Sequence, residues 1–310
     1  MKKLLAASVL LLLIAITYAY LFIPGSVEII NKTTLHGSIN AARRIAIPDT
    51  AWYRWFPGKK EQANIYESGG FSFKTNRQLF QGAEITAYNT KLKDSGMLLL
   101  TPLKNDSFEI SWQSKIITGS NPFTRIAAYN EAKKYEQQRA KIFENLKFFL
   151  KDESNIYGVS ITQQRVTDTF LVSTYSTFDH EPATKEIYDL ISKLRMYIAA
   201  HNAEAINKPM MHIEPNPNGS FLTRVALPVN KEIPGSGDIE FRFMIKGNIL
   251  VTNDIRGGKA AIAKAMDGVN DYIKDYGRTS PAIPFELLVT DRMQEPDSSK
   301  WITRIYYPIL

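Results

Sequence analysis

The feature that most constrains the fold is an internal repeat in the second half of the chain. The segment FLTRVALPV at 221–229 returns 80 positions later as WITRIYYPI at 301–309. A second segment, FLVST at 170–174, returns 79 positions later as ILVTN at 249–253. Two separate segments with nearly equal offsets indicate a duplication that covers 156–310.

The two copies predict the same order of elements, namely a strand, a helix and two further strands. The helices are predicted at 182–201 and 257–276, where apolar residues recur at helical spacing. Because each copy can bury only one face by itself, 156–229 and 239–310 are predicted to pack on each other as one pseudo-two-fold α+β domain. The crevice along the pseudo-two-fold axis is then the predicted ligand site.

One carboxylate breaks the symmetry of the repeat. Glu286 aligns with Met211 of the first copy, in a strand that is otherwise apolar. A buried carboxylate without a partner is costly, so this position predicts a ligand, a bound proton or a neighbouring cation. The alternative is that Glu286 lies on the solvent-facing side of its strand.

The end of the chain carries a family resemblance. PFELLVTD at 284–291 and WITRIYYPI at 301–309, together with the duplication, resemble the GyrI-like small-molecule-binding family, which is also found as the effector-binding domain of AraC- and MerR-type transcription regulators. The resemblance implies two β-α-β-β units with a cleft that aromatic side chains line and that commonly contains a glutamate. It implies that Glu286 is this glutamate and that Trp301 and Tyr306 are wall residues.

One position departs from the family pattern. A glutamate commonly precedes the Ile-Tyr pair of the closing strand in this family, whereas this chain has Arg304 there and Arg224 in the first copy. An arginine that faces the cleft would pair with Glu286 or with an anionic ligand, which weakens any expectation of a preference for cations. The predicted ligand-binding residues are therefore Glu286, Trp301, Tyr306 and Arg304.

Residues 26–152 predict a second α+β domain, in which antiparallel strands precede a long closing helix. Asn121 followed by Pro122 is typical of the start of that helix. AWYRWFP at 51–57, the Ser111-Trp112 pair and NPF at 121–123 resemble the polyketide cyclase/START-like (SRPBCC) superfamily. The resemblance implies a helix-grip fold, a curved sheet around the long helix that often holds an apolar ligand. Three tryptophans are predicted either to line such a ligand or to form the core: Trp52, Trp55 and Trp112.

The N-terminal segment is uncharged from Leu4 to Ile23, after Lys2 and Lys3. A helix of that length spans about 30 Å, the thickness of the hydrocarbon core of a bilayer. We therefore expect residues 1–25 to form an uncleaved transmembrane anchor rather than a cleaved signal peptide. The two lysines favour a body outside the cytoplasm, on the periplasmic face of the inner membrane if the source is bacterial, and a cytoplasmic body stays open.

Several chemistries are missing from the sequence. The chain has no Cys, and its four His lack the spacing of metal ligands, so neither a metal site nor a cofactor is predicted. It contains no phosphate-binding loop, dinucleotide fingerprint or nucleophile elbow. The net charge of +7 comes from residues 1–155, which hold 21 Lys and Arg against 13 Asp and Glu, whereas residues 156–310 hold 17 against 18. No nucleic-acid-binding motif accompanies this charge, so nucleic acid is not a predicted partner.

These features predict a membrane-anchored sensor whose second domain binds a small apolar or aromatic ligand between its two repeats. Its predicted partners are that ligand, the membrane through residues 4–23 and an unidentified protein that receives the signal. The alternative is a hydrolase of small reactive electrophiles, in which Glu286 acts as general acid or base with the help of Tyr306. Only that alternative assigns catalytic residues, and a purely structural role is the third expectation.

Overall fold

The computed structural model describes residues 2–62, 64–167 and 170–310. The chain forms two compact units, Met1–Asp152 and Glu153–Leu310. Each unit combines an antiparallel sheet with helices, so the fold class is α+β.

In the described part of the chain, the first unit is built on a sheet of seven antiparallel strands. The strands are β1 (Ser26–His36), β2 (Lys59–Gln62), β3 (Ile65–Ser68), β4 (Phe71–Leu79), β5 (Gly82–Tyr88), β6 (Lys93–Pro102) and β7 (Ser107–Ile117). Their order is β1, β7, β6, β5, β4, β3, β2, so the first strand pairs with the last. The helices are α1 (Lys2–Leu21), α2 (Ile39–Ala46) and α3 (Pro122–Lys151), with a 3-10 helix at Asp49–Arg54.

The long helix α3 begins where Asn121 caps it. The Asn121 side chain accepts hydrogen bonds from the backbone N–H groups of Phe123 (3.0 Å) and Thr124 (3.4 Å). Pro122 occupies the first turn, where its missing N–H leaves no unpaired group. The helix packs against β1 and turns Tyr135 into the core, where its ring lies 6.3 Å from that of Phe73.

The three tryptophans of the first unit lie in its core. Trp52 and Trp112 are almost fully buried, and Trp55 is buried to nearly the same degree. The indole N–H of Trp52 donates to the carbonyl of Ala46 (2.9 Å), and that of Trp55 donates to the carbonyl of Ile45 (3.0 Å). Both indoles therefore anchor the 3-10 helix segment against α2. Of the two predicted roles for the tryptophans, lining a ligand or forming the core, the structure shows the core role.

The prediction for the N-terminal helix needs correction. None of the helices in the described ranges is long and apolar enough to cross a membrane. The predictions of a transmembrane signal anchor at residues 1–25, of the membrane as a partner through residues 4–23 and of a membrane-anchored periplasmic location are therefore wrong. They rested on the length of the uncharged stretch at 4–23, whereas the end of α1 packs on its own unit. Ala19 is fully buried, and the Tyr20 hydroxyl donates to the Ser120 carbonyl (2.7 Å).

The second unit is built on a sheet of nine antiparallel strands, again counted over the described ranges. They are β8 (Ile161–Arg165), β9 (Phe170–Phe178), β10 (Met210–Pro215), β11 (Phe221–Pro228), β12 (Glu240–Phe243), β13 (Asn248–Thr252), β14 (Ile255–Arg256), β15 (Phe285–Leu288) and β16 (Ile302–Ile309). Their order is β12, β9, β11, β10, β15, β16, β13, β8, and β14 pairs with β16. The helices are α4 (Glu153–Tyr157), α5 (Thr184–Ala200) and α6 (Lys259–Tyr276), with a 3-10 helix at Ser298–Lys300.

The two copies of the repeat meet in the middle of this sheet. The first copy supplies β9, α5, β10 and β11, and the second supplies β13, α6, β15 and β16. Strands β10 and β15 pair antiparallel, with Met210 opposite Leu287 and Met211 opposite Glu286. The pseudo-two-fold axis therefore passes between β10 and β15.

The sheet of the second unit has two different faces. On the helix face, Met211, Glu286 and Ile305 lie in one row across neighbouring strands. Met211 belongs to the apolar cluster of Ile191 in α5, and Ile305 belongs to that of Ile262 in α6, so both helices cover this face. The opposite face, which we call the open face, carries a separate apolar cluster that includes Met210, Phe285, Leu287 and Tyr306.

Candidate functional site

Glu286 lies on the helix face beside the pseudo-two-fold axis. Its side chain is 21% exposed, and its Oε2 lies 3.3 Å from Nη2 of Arg292. Burial raises the pKa of the Glu286 carboxyl, and the Arg292 guanidinium acts against this rise by stabilising the charged form. The carboxylate that breaks the symmetry of the repeat thus has a cation within the protein as its partner.

Arg292 holds this cluster together, although sequence reasoning did not single it out. Its side chain is buried, and Nη2 also donates to Oγ1 of Thr303 (2.9 Å). The guanidinium carbon lies 4.7 Å from the centroid of the Trp301 ring, which is cation–π distance. The Arg292 backbone N–H donates to the Tyr188 hydroxyl of α5 (2.7 Å). The cluster of Glu286, Arg292 and Trp301 therefore fixes the loop after β15 against α5 and β16.

The other two predicted site residues lie on the open face. Tyr306 stacks on Phe285, with ring centroids 5.1 Å apart and an interplanar angle of 8°. Arg304 forms an ion pair in which its Nε donates to Oδ1 of Asp254 at 2.6 Å. The sheet separates both side chains from the cluster around Arg292, so the four predicted residues do not converge on one pocket.

The open face contains a cavity of about 320 Å³. Small-molecule sites commonly have volumes of roughly 300–1,000 Å³ and mainly apolar walls. The apolar lining comes from several strands and from the segments after β12 and before β15: Leu171, Met210, Ala226, Met244, Ile283 and Phe285. A smaller cavity of about 80 Å³ shares Met210, Met244 and Phe285 with the larger one and reaches Tyr306.

One row of polar side chains crosses the larger cavity. Tyr175 of β9, Arg224 of β11 and His212 of β10 lie opposite one another on adjacent strands, and all three line the cavity. The guanidinium carbon of Arg224 lies 5.8 Å from the centroid of the Tyr175 ring. Burial lowers the pKa of His212, and Arg224 acts in the same direction, against the opposing effects of Glu214 and of a hydrogen bond to the Pro284 backbone. The imidazole is therefore mainly neutral at pH 7.

The remaining charges of the larger cavity cancel each other. Glu240 and Arg242 line it and form an ion pair, in which Nε of Arg242 donates to Oε2 of Glu240 at 2.7 Å. Arg224, in contrast, has only the ring of Tyr175 as a partner and forms no ion pair with any carboxylate in the described ranges. Among the lining residues that the structure describes, Arg224 is thus a cation that forms no ion pair with a carboxylate.

Sequence reasoning found only part of this arrangement. It named Arg224 as the repeat partner of Arg304, and it assigned no role to His212 or Tyr175. The repeat could have indicated the difference between the two arginines, because the 79-residue offset aligns Tyr175 of the first copy with Asp254 of the second. A group of three or more His, Cys, Asp or Glu side chains that could hold a metal ion does not occur among the residues that the structure describes.

Comparisons with known proteins identify similar folds only. No protein-family model matches the chain, and no curated protein matches it. Among solved structures, the EcmrR C-terminal domain matches 49% of this chain and 98% of its own, with 13% identity and a TM-score of 0.42. SAV2435 bound to tetraphenylphosphonium matches 49% of this chain and 94% of its own, with 16% identity and a TM-score of 0.32. A START superfamily protein from Mycobacterium smegmatis matches 38% of this chain and 98% of its own, with 12% identity and a TM-score of 0.26.

Proposed function

We propose that this chain is a small-molecule-binding protein whose ligand occupies the larger cavity on the open face of the second unit. The observation that carries this proposal is the cavity itself, with a volume of about 320 Å³, apolar walls and one row of polar side chains. The duplicated β-α-β-β pattern and the sequence at 284–309 support assignment of this unit to the GyrI-like family.

The predicted site residues take different roles in this proposal. Tyr306 is a lining residue, because it borders the smaller cavity beside the ligand site. Glu286 and Trp301 hold the loop after β15 through their contacts with Arg292. Arg304 is neutralised by Asp254 and does not contact the ligand.

We assign the first unit to the START-like superfamily as part of the same proposal. Its seven-stranded antiparallel sheet, the long helix α3 and the residues at 51–57 and 121–123 support this assignment. Aromatic rings pack closely in its interior, as in the contact of Trp52 with Phe56 at 5.6 Å between ring centroids. We therefore place the ligand in the second unit, where the cavity lies.

No observation favours the hydrolase alternative. A general acid or base and its assisting group must reach the same substrate atom. Glu286 projects from the helix face and is paired with Arg292, whereas Tyr306 projects from the open face. The two side chains therefore lie on opposite sides of the sheet.

A fluorescence titration with N-phenyl-1-naphthylamine, a neutral apolar aromatic probe, tests the proposed site on the full-length protein. We expect saturable enhancement with wild type and a loss of at least about tenfold in affinity for Ala226→Trp, because the indole fills the cavity. Lys264→Trp, on the exposed side of α6, is the matched control and should bind as wild type does. No saturable binding to wild type, or equal binding by both variants, would overturn the proposal.

A further inference from the structure

The two copies of the repeat hold equivalent arginines in different electrostatic surroundings. In the second copy, Arg304 lies opposite Leu287 and pairs with Asp254. In the first copy, Arg224 lies opposite His212, and the position that aligns with Asp254 is Tyr175. The duplication therefore keeps the arginine in both copies but supplies the neutralising carboxylate in only one.

The unneutralised arginine is the one that lines the larger cavity. From this we infer that the cavity binds amphipathic anions, which have an apolar or aromatic body and one carboxylate or sulfonate group that pairs with Arg224. The inference rests on the proposed function and adds the chemical class of the ligand. The body of such a ligand would pack on Met210, Ile283 and Phe285, and its anionic group would lie on the row of Tyr175, Arg224 and His212.

The chemistry of the row suits an anion. A guanidinium presents several N–H donors in a planar fork that matches a carboxylate or sulfonate. The Tyr175 hydroxyl can add a further donor, and Arg224 is partly shielded from water, which strengthens its attraction to an anion. Burial lowers the pKa of His212, so the imidazole adds little positive charge to the row near pH 7.

The same cavity offers little to a cation. Glu240 is the carboxylate that lines it, and Glu240 is already paired with Arg242. Glu286 lies on the other face of the sheet and is paired with Arg292. A cationic ligand in the cavity would therefore meet Arg224 without an unpaired carboxylate among the lining residues that the structure describes, and like-charge repulsion disfavours this.

Two fluorescent probes that differ by one anionic group test the inference. N-phenyl-1-naphthylamine is neutral, and 8-anilino-1-naphthalenesulfonate is the same molecule with a sulfonate. With the full-length protein at low salt, we expect the sulfonate to bind about tenfold more tightly than the neutral probe, as one charge-assisted hydrogen bond allows. Arg224→Met should remove this advantage and leave the neutral probe unaffected, which also shows that the variant keeps its cavity.

Arg304→Met is the matched control, because it removes the equivalent arginine of the second copy, which lies outside the larger cavity. The Arg304→Met variant should keep the full preference for the sulfonate over the neutral probe. Equal affinity of the two probes for wild type, or an unchanged preference in Arg224→Met, would overturn the inference and leave the proposed function standing. Failure of both probes to bind would overturn the proposed function as well.

Discussion

The first and second copies of the repeat share strand order and a helix face, and they differ in where they hold charge. On the helix face, the first copy has Met211 where the second has Glu286, and Arg292 neutralises that carboxylate. On the open face, both copies have an arginine, and a carboxylate neutralises only that of the second copy. At these positions the second copy pairs its arginines with carboxylates, whereas Arg224 of the first copy forms no ion pair within the described ranges.

The largest effect should follow from breaking the ion pair of the second copy. Arg292→Met leaves the Glu286 carboxylate without a cation, and at pH 8 we expect the free energy of unfolding to fall by about 2 kcal/mol. This is below the ~3–5 kcal/mol of a fully buried pair, because 21% of the Glu286 side chain is exposed. Urea denaturation of the full chain, followed by circular dichroism, measures the change.

The double variant Glu286→Met/Arg292→Met makes the helix face of the second copy resemble that of the first, where Met211 packs in an apolar cluster. It should recover most of the lost stability, since an unpaired charge no longer remains. A double variant no more stable than Arg292→Met would show that the loss comes from the packing of Arg292 on Trp301 and not from the unpaired charge of Glu286.

The next effect comes from giving the first copy the carboxylate of the second. Tyr175→Asp places an acid beside Arg224, as Asp254 lies beside Arg304. We expect about tenfold weaker binding of 8-anilino-1-naphthalenesulfonate, because the new carboxylate competes for the guanidinium. The neutral probe should bind within about twofold of wild type, and unchanged sulfonate affinity would contradict the comparison.

A smaller effect concerns the pH dependence of stability. The pKa of Glu286 is raised above its ordinary value of 4.5 by burial, so the folded state binds a proton more tightly than the unfolded state. Stability from this group is therefore complete below about pH 4.5 and decreases as pH rises through the raised pKa. In denaturation experiments across this range, the stability of wild type should decrease relative to that of Glu286→Gln as pH rises, because the other titrating groups are the same in both. Parallel profiles would contradict this prediction.

The smallest effect should come from the exposed ion pair of the second copy. Asp254 and Arg304 are each more than 40% exposed, so Asp254→Asn should change the free energy of unfolding by less than about 1 kcal/mol. It should also leave the affinities of both probes unchanged, because Arg304 does not line the larger cavity. Tighter binding of the sulfonate in this variant would instead place the anion site at Arg304, in the second copy.

The sequence was informative where one local pattern decides the structure. The repeat predicted helices at 182–201 and 257–276, and the structure has α5 at Thr184–Ala200 and α6 at Lys259–Tyr276. Both helices are amphipathic, so their spacing alone indicates the face that they bury. The start of α3 was equally readable, because Asn121 and Pro122 act on the first turn of their own helix.

The sequence was less informative where residues far apart in the chain decide the outcome. The alternation of side chains along β16 places Arg304 and Tyr306 on one face of the sheet and Thr303 and Ile305 on the other. The sequence at 301–309 did not show which of these faces holds the cavity. Arg292, the partner of Glu286, lies in a loop, and the hydrophobic periodicity that reveals helices and strands does not predict the path of a loop. The N-terminal helix was misjudged for a similar reason, because the packing of its end on α3 depends on tertiary structure.

A crystal structure of the full chain with bound 8-anilino-1-naphthalenesulfonate would show directly which face of the sheet and which arginine hold the anion. We expect the sulfonate within hydrogen-bond distance of the Arg224 guanidinium and the aromatic rings against Met210 and Phe285, on the open face. A probe seated on the helix face beside Glu286 and Trp301, or a sulfonate held by Arg304, would contradict this expectation.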